Sequence, residues 1–359
     1  MVGKAAGYAA VNVKIRAMKA KLLGLSDYDR IIQADNLVEG IRTIIGLVMP
    51  SKLAEELTFL LSSGEKVAIA DFDKALTQSF TAVHSKLVEM CPEDTQEFLG
   101  LYLKKIKFDN LKIIIKAIHR GLPPNQIRRL LLSSISGETE ELLELIALDS
   151  IAQLKDAFQD ELAKKAVLEA FEEYKATNST LPLELAMDRV LYTHWWDTIA
   201  SLAKSDRKWA YSLIGMKIDL QNLLFVLRGI QMGLDSSTLK KFIIPVTYQL
   251  KKNLERAVEA KTQLEAIRFF AVHAYEKLIT SIREIIEENR SLVEIEHLTE
   301  GFLARENARV FVSYPFHIGT VLAFLNLLQT EYKNLRTILV GRAEGVTSGK
   351  IRESLIFVR

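Results

Sequence analysis

The chain has 359 residues, more than one compact core usually takes, so two or three domains are expected. Lys+Arg 47 against Asp+Glu 45 leaves a formal charge of +2, which provides no global field toward a polyanion, and no RNA-recognition or zinc-finger motif is present. A single cysteine, Cys91, excludes an intrachain disulfide framework and a Cys-based zinc site, and points to a reducing compartment.

The first 25 residues form a basic N-terminal helical segment. Lys4, Lys14, Arg16, Lys19 and Lys21 meet no acid before Asp27, and Val11, Val13, Ile15, Met18, Leu22 and Leu23 run alongside. Two readings stand: a surface that lies on a membrane or an acidic partner, or a first helix packed on the body with its basic face in water. Met1-Val2-Gly3-Lys4 lacks the apolar core of a signal peptide. Charges interrupt every apolar stretch short of the ~18 residues that mark a span. A soluble cytoplasmic protein, able to sit on a membrane complex, is expected.

Helical periodicity then dominates. In 98–120, Phe98, Leu101, Phe108, Leu111, Ile114, Ile115 and Ile118 recur at threes, fours and sevens, and similar stripes are predicted over 139–174, 255–288 and 318–340. Asn-Gly and Asp-Gly hairpin signals are absent. Arg309-Val-Phe-Val-Ser313 reads either as a short extended piece or as a loop entering Pro315. The predicted class is all-α.

One signature occurs three times. Asn110-Leu111, Asn222-Leu223 and Asn334-Leu335 are spaced by 112 residues (222 − 110 and 334 − 222). Eleven residues after each Asn stands a glycine, Gly121, Gly233 or Gly345, and seventeen after it Ile127, Leu239 or Ile351. Each glycine suits a left-handed helix end. Pro124, Asp235 and Thr347 suit the start of a second helix, whose apolar face Leu131, Ile243 and Leu355 would continue. An αα-hairpin is therefore predicted to end each of three repeats, 26–137, 138–249 and 250–359. The Asn residues sit mid-helix, where a buried amide fixing helix packing is favoured over solvent exposure. Asp35–Ile41, Asp149–Leu154 and Glu294–Glu300 are candidate repeat openings.

Chemistry-bearing motifs are few. Gly345-Val-Thr-Ser-Gly349-Lys350 imitates a phosphate loop but has Glu344 and Ile351 where Gly and Ser or Thr are required, and it follows a helix. Glu294-Ile-Glu-His297 is half of a di-iron motif whose second half is missing. His84, His119, His194, His273, His297 and His317 are scattered, and Cys91 has no catalytic context. Glu172-Glu173 and Glu284, Glu287 and Glu288 read as solvated helix faces, and Trp195-Trp196 as one core ring and one ring at the surface or on a partner. No catalytic, cofactor-binding or metal residue is assigned, and neither nucleic acid nor a small-molecule substrate is expected.

Tyr314-Pro315-Phe316-His317-Ile318-Gly319-Thr320-Val321, then Phe324, Glu331, Asn334-Leu335-Arg336 and Gly341, together with Tyr8, Arg16, Met18, Leu22-Leu23 and Tyr28, resemble the C subunits of A-type ATP synthases and related V-type enzymes, the counterparts of the d subunits of eukaryotic vacuolar ATPases. The likeness runs over essentially the whole chain. The first repeat departs from the others, with Lys107 where the third has Glu331 and Lys116-Ala117 where the second has Arg228-Gly229. The resemblance implies three similar helical domains around a pseudo-threefold axis, forming a funnel-shaped socket. It also implies a non-catalytic rotor role without cofactors, one copy per complex, joining the central shaft of the soluble sector to the membrane proteolipid ring. From the residues alone, a helical scaffold or adaptor of another complex is the alternative.

Overall fold

The computed structural model describes residues 2–62, 67–132 and 139–357, with side chains described from Gly7 onward except at 139. The expected repeat boundary between 137 and 138, and the side chain of Lys4, therefore lie outside the described residues. Every regular element among the described residues is helical. A basic first helix, α1 (Val2–Lys19), precedes three runs of six. The first run is α2 (Leu25–Ile32), α3 (Leu37–Val48), α4 (Lys52–Ser62), α5 (Ile69–Glu89), α6 (Glu93–His119) and α7 (Pro124–Leu130). The second is α8 (Thr139–Ile146), α9 (Ile151–Ala157), α10 (Glu161–Thr177), α11 (Leu181–Thr198), α12 (Lys204–Gln231) and α13 (Ser236–Phe242). The third is α14 (Asn253–Glu259), α15 (Gln263–Phe270), α16 (Glu276–Glu287), α17 (Leu292–Val310), α18 (Ile318–Ala343) and α19 (Ser348–Glu353).

The continuous stripes expected over 139–174 and 255–288 are each divided into three helices. At three of the four breaks a short polar residue caps the next helix: Asp160 accepts the Leu162 and Ala163 amides, and Ser150 and Thr262 accept those of Gln153 and Glu265, whereas α16 starts without a side-chain cap. The second helix of each run opens on the same reciprocal box. Asn36 Oδ1 accepts Glu39 N at 3.0 Å while Glu39 accepts Asp35 N at 3.1 Å. Ser150 and Gln153 repeat this around Asp149, and Thr262 and Glu265 repeat it around Lys261. The third opening is thus Lys261–Ile267. Glu294–Glu300 instead lies inside α17.

The chain forms two compact units, one of Met1–Leu103, Arg129–Gly137 and Ala304–Arg359, the other of Lys104–Arg128 and Glu138–Leu303. In the first, α18 is the axis: Val321, Leu322, Phe324, Leu325, Leu335 and Ile338 are almost wholly buried, and α1, α2, α3 and α5 pack on it. Helix α1 buries Tyr8, Val11 and Ile15 and leaves Val13 70% exposed, so one face is core and the other is in water. After Val310 the chain turns toward Pro315 without forming a strand. In the second unit α12 takes the central place, with Leu213, Ile218, Leu223, Val226 and Leu227 buried. Among the described helices α12 alone has the length and composition of a membrane span. Its most apolar window is 72% buried inside the protein, the mark of a core helix.

Candidate functional site

The triplicated hairpin is the most regular feature of the molecule. Gly121, Gly233 and Gly345 all have positive φ (67°, 73° and 70°), a conformation that costs a side chain-bearing residue ~1 kcal/mol. Behind each, the next amide reaches back to a carbonyl one turn earlier: Leu122 N to Ala117 O, Leu234 N to Gly229 O and Val346 N to Gly341 O, at 3.0, 2.9 and 2.8 Å. The short helices α7, α13 and α19 then return Ile127, Leu239 and Ile351 to the core. Asp235 caps α13 through Thr238 N at 2.8 Å, whereas Thr347 makes no side-chain cap. Leu131 and Leu355 are buried. Ile243 is half-buried and its neighbour Ile244 is wholly buried; Leu131, Ile243 and Leu355 all lie just past the ends of α7, α13 and α19 rather than continuing a helical face.

Asn222 is fully buried in α12. Its amide donates to Ile244 O at 3.0 Å and its oxygen accepts Ile244 N at 2.8 Å. In α18, Asn334 repeats the pair on Ile356 at 2.8 and 2.9 Å. Asn110 in α6 is equally buried, as are Leu111, Leu223 and Leu335 beside the three amides. Each bonded amide therefore satisfies both backbone polar groups of one residue in the chain that leaves its hairpin, Ile244 or Ile356, where no helix ladder supplies partners.

Three residues before each Asn stands an ionisable group: Lys107, Asp219 or Glu331. Lys107 Nζ meets Glu141 at 2.6 Å, and Glu141 accepts Gln159 N. Asp219 accepts Tyr248 N, Gln249 N and the Tyr275 hydroxyl at 3.0, 2.8 and 2.8 Å. Glu331 accepts Leu23 N at 2.6 Å. Asp219 thus ties down the chain entering α14, Glu331 the chain entering α2, and Lys107 the α8 residue Glu141. Burial raises Asp219 despite its three donors and pushes Glu331, with one, to about 7. Sequence reading missed Asp219 because nothing local marks its partners, which are 29 to 56 residues away.

A second ionic cluster joins α6 to α11. Asp109 lies 2.6 Å from Lys105 and 3.0 Å from Lys112, and Lys112 reaches Asp188 at 2.7 Å. Burial alone would raise Asp109, but the two ammonium groups outweigh it and hold its carboxyl below the usual range. Lys217, at the register of Lys105 in the second copy, is pushed down to about 8 by burial and by the Lys105 charge.

The remaining sequence candidates are dispersed. Lys350, from the phosphate-loop look-alike, is exposed on α19, and Gly345 there is a helix end. Glu294 pairs with Arg290 at 2.8 Å. Cys91 is buried against Leu87 O, and His84 bonds Leu99 O at 2.8 Å. Burial holds His317 down to about 4. Glu172 and Glu173 pair with Lys175 and Lys241. Trp195 is fully buried against Tyr192, and Trp196 is half-buried on Tyr211. Among the described residues no three His, Cys, Asp or Glu side chains gather as metal ligands would.

Residues 11–354, nearly the whole triplicated chain, match the family described as ATP synthase (C/AC39) subunit. The chain belongs to that family. It is 24% identical to the C subunit of the A-type ATP synthase of Methanocaldococcus jannaschii, over 99% of this chain and 88% of the relative. Against the C subunit from Halorubrum lacusprofundi the identity is 22%, over 96% of each. With that from Halobacterium salinarum it is 23%, over 98% of each. On α12 and α18 of this chain, every bonding partner identified for the buried amides and their ionisable neighbours is chain from a hairpin exit or a neighbouring helix start.

Proposed function

We propose that this chain is the non-catalytic central-stalk subunit of an A-type or V-type ATP synthase. Three similar helical domains, one per run of six helices, stand around a pseudo-threefold axis as a funnel-shaped socket. One copy per complex sits on the cytoplasmic face of the membrane, takes the shaft of the soluble sector, rests on the proteolipid ring and carries torque between them. The observation that carries this reading is the family match over nearly the whole chain. The register of ties supports it: anchors at equivalent places in successive copies hold the start of the following copy, and Glu331 of the third holds the entry to the first. Such ties suit an adaptor that must transmit force without unravelling.

The test is affinity capture of the tagged chain from detergent-solubilised membranes, followed by identification of its partners. Recovery together with the proteolipid ring and shaft subunits is expected. Recovery as a free protein, binding neither when purified ring and shaft are supplied, would sink the proposal.

A further inference from the structure

In the first unit a cavity of about 590 Å³ opens between α1, the start of α4, α5 and α18. That is within the ~300–1,000 Å³ range of ordinary ligand sites. Its buried lining has a hydrocarbon part, Leu53, Phe324 and Leu328, each no more than 5% exposed, beside the hydroxyls of Ser79 and Tyr332, which are bonded to each other at 2.6 Å. Its rim carries Lys14 and Lys21 at the α1 end and Lys86 in the last turn of α5. Among the described residues none of these three lysines has an ion-pair partner. Lys52, also on the rim, is occupied by Glu55 and Glu56 at 3.2 and 2.9 Å.

Three unneutralised cations around an apolar hole form an amphipathic pattern in three dimensions. Stacking like charges is unfavourable unless an anion joins them, and a simple anion would leave the hydrocarbon wall unused. We infer that this cavity is a binding site for a phosphate-headed membrane lipid, the headgroup held by Lys14, Lys21 and Lys86 and the first part of one hydrocarbon chain seated against Phe324 and Leu328. The cations come from two separate elements and line one cavity. A single headgroup fits that arrangement, whereas an acidic peptide would need an extended groove. Membership of an ATP synthase subunit family puts such a lipid within reach. Glu331, the other acid at the cavity, faces it with its carboxyl tied to Leu23 N, and near neutral pH burial keeps it partly protonated. The choice of a lipid rests on the membrane setting of the proposed function, while vesicle binding by the isolated chain succeeds or fails separately from its binding to ring and shaft.

Flotation of the full chain with phosphatidylcholine vesicles, with and without phosphatidylglycerol, tests it. Binding is expected only when phosphatidylglycerol is present. Replacing all three lysines (Lys14→Ala, Lys21→Ala, Lys86→Ala) should weaken it about a hundredfold, roughly tenfold or less per surface cation. Ala82→Trp, which fills the cavity without changing charge, should weaken it about tenfold, with retained helicity confirming the fold. Should that variant not fold, Val83→Phe serves the same purpose. A charge-matched control on the second unit (Lys204→Ala, Lys208→Ala, Lys251→Ala) should bind as the parent does. Undiminished binding by the lysine variant or by a folded cavity-filling variant overturns the site. Equal loss in the control does so too, by showing adsorption through general charge. Displacement by glycerol phosphate or polyglutamate at concentrations comparable with the lipid would assign the lysines to a soluble anion or an acidic peptide, and equally overturn it.

Discussion

Asp219 and Glu331 hold the same register in successive copies, yet they are anchored differently. Asp219 collects three hydrogen-bond donors and Glu331 one. Both are almost wholly buried, so the contrast isolates what partners do for a carboxyl removed from water. In the second copy the carboxylate is nearly saturated and fixes the entry to α14. In the third it holds a single amide and is pushed to about 7. The first copy replaces the acid by Lys107 and brings its carboxylate from Glu141. A repeated backbone design therefore tolerates exchange of sign and donor number, provided the next chain segment is still held.

The greatest loss is expected where the carboxylate has the most donors. Asp219→Ala abandons two part-buried amides and the buried Tyr275 hydroxyl, and a loss of about 4 kcal/mol in urea unfolding is expected. Glu331→Gln should act in the opposite sense and only above the acid range. The folded pKa lies above the ordinary 4.5, so the native state binds the extra proton. The contribution of Glu331 is complete below 4.5 and is lost as pH rises through about 7. Gln keeps an acceptor for Leu23 N without titrating. The variant should match the parent near pH 4.5 and exceed it by about 3 kcal/mol at alkaline pH, read from unfolding midpoints across that window. A constant difference at all pH values would remove the proposed cause.

More modest changes separate the copies further. Asn222→Leu or Asn334→Leu leaves both backbone polar groups of one buried residue without a partner, and each should cost about 2 kcal/mol in the same unfolding assay. Gly229 and Gly341 occupy the place of Ala117. A Cβ on Gly229 would stand 2.1 Å from Leu239 and one on Gly341 2.8 Å from Ile351. Gly229→Ala should therefore lower the melting temperature more than Gly341→Ala, the first by about 2 kcal/mol of overpacking and the second by about 1. The reverse order would mean that α13 yields more easily than α19.

The class of fold was legible because helix periodicity and glycine helix ends are local signals. The hairpins of Gly121, Gly233 and Gly345 were visible in spacing alone, since a left-handed position restricts residue type strongly. Helix ends inside 139–174 and 255–288 were not, because Ser150, Asp160 and Thr262 cap without interrupting the apolar period. An Asn/Ser/Thr-x-x-Glu/Gln search would have found the three boxes and corrected the third opening from Glu294 to Lys261. Glu331 and its counterpart Lys107 stood out by position, but their role as anchors could not be read: Glu331 meets Leu23 across 308 residues, and charge in a sequence carries no mark of burial. Residues of the hairpin signature were identifiable as a group, but the peptide each Asn holds lies beyond a turn whose path only packing decides.

If this chain links two machines rather than working as one, removing it should uncouple them. Membrane vesicles carrying the ATP synthase, stripped of this protein and re-supplied with the soluble sector, offer the most direct measurement. ATP hydrolysis should persist while ATP-driven ion transport is lost, and adding back the chain should restore transport. Full ATP-driven transport in its absence would contradict the linking role.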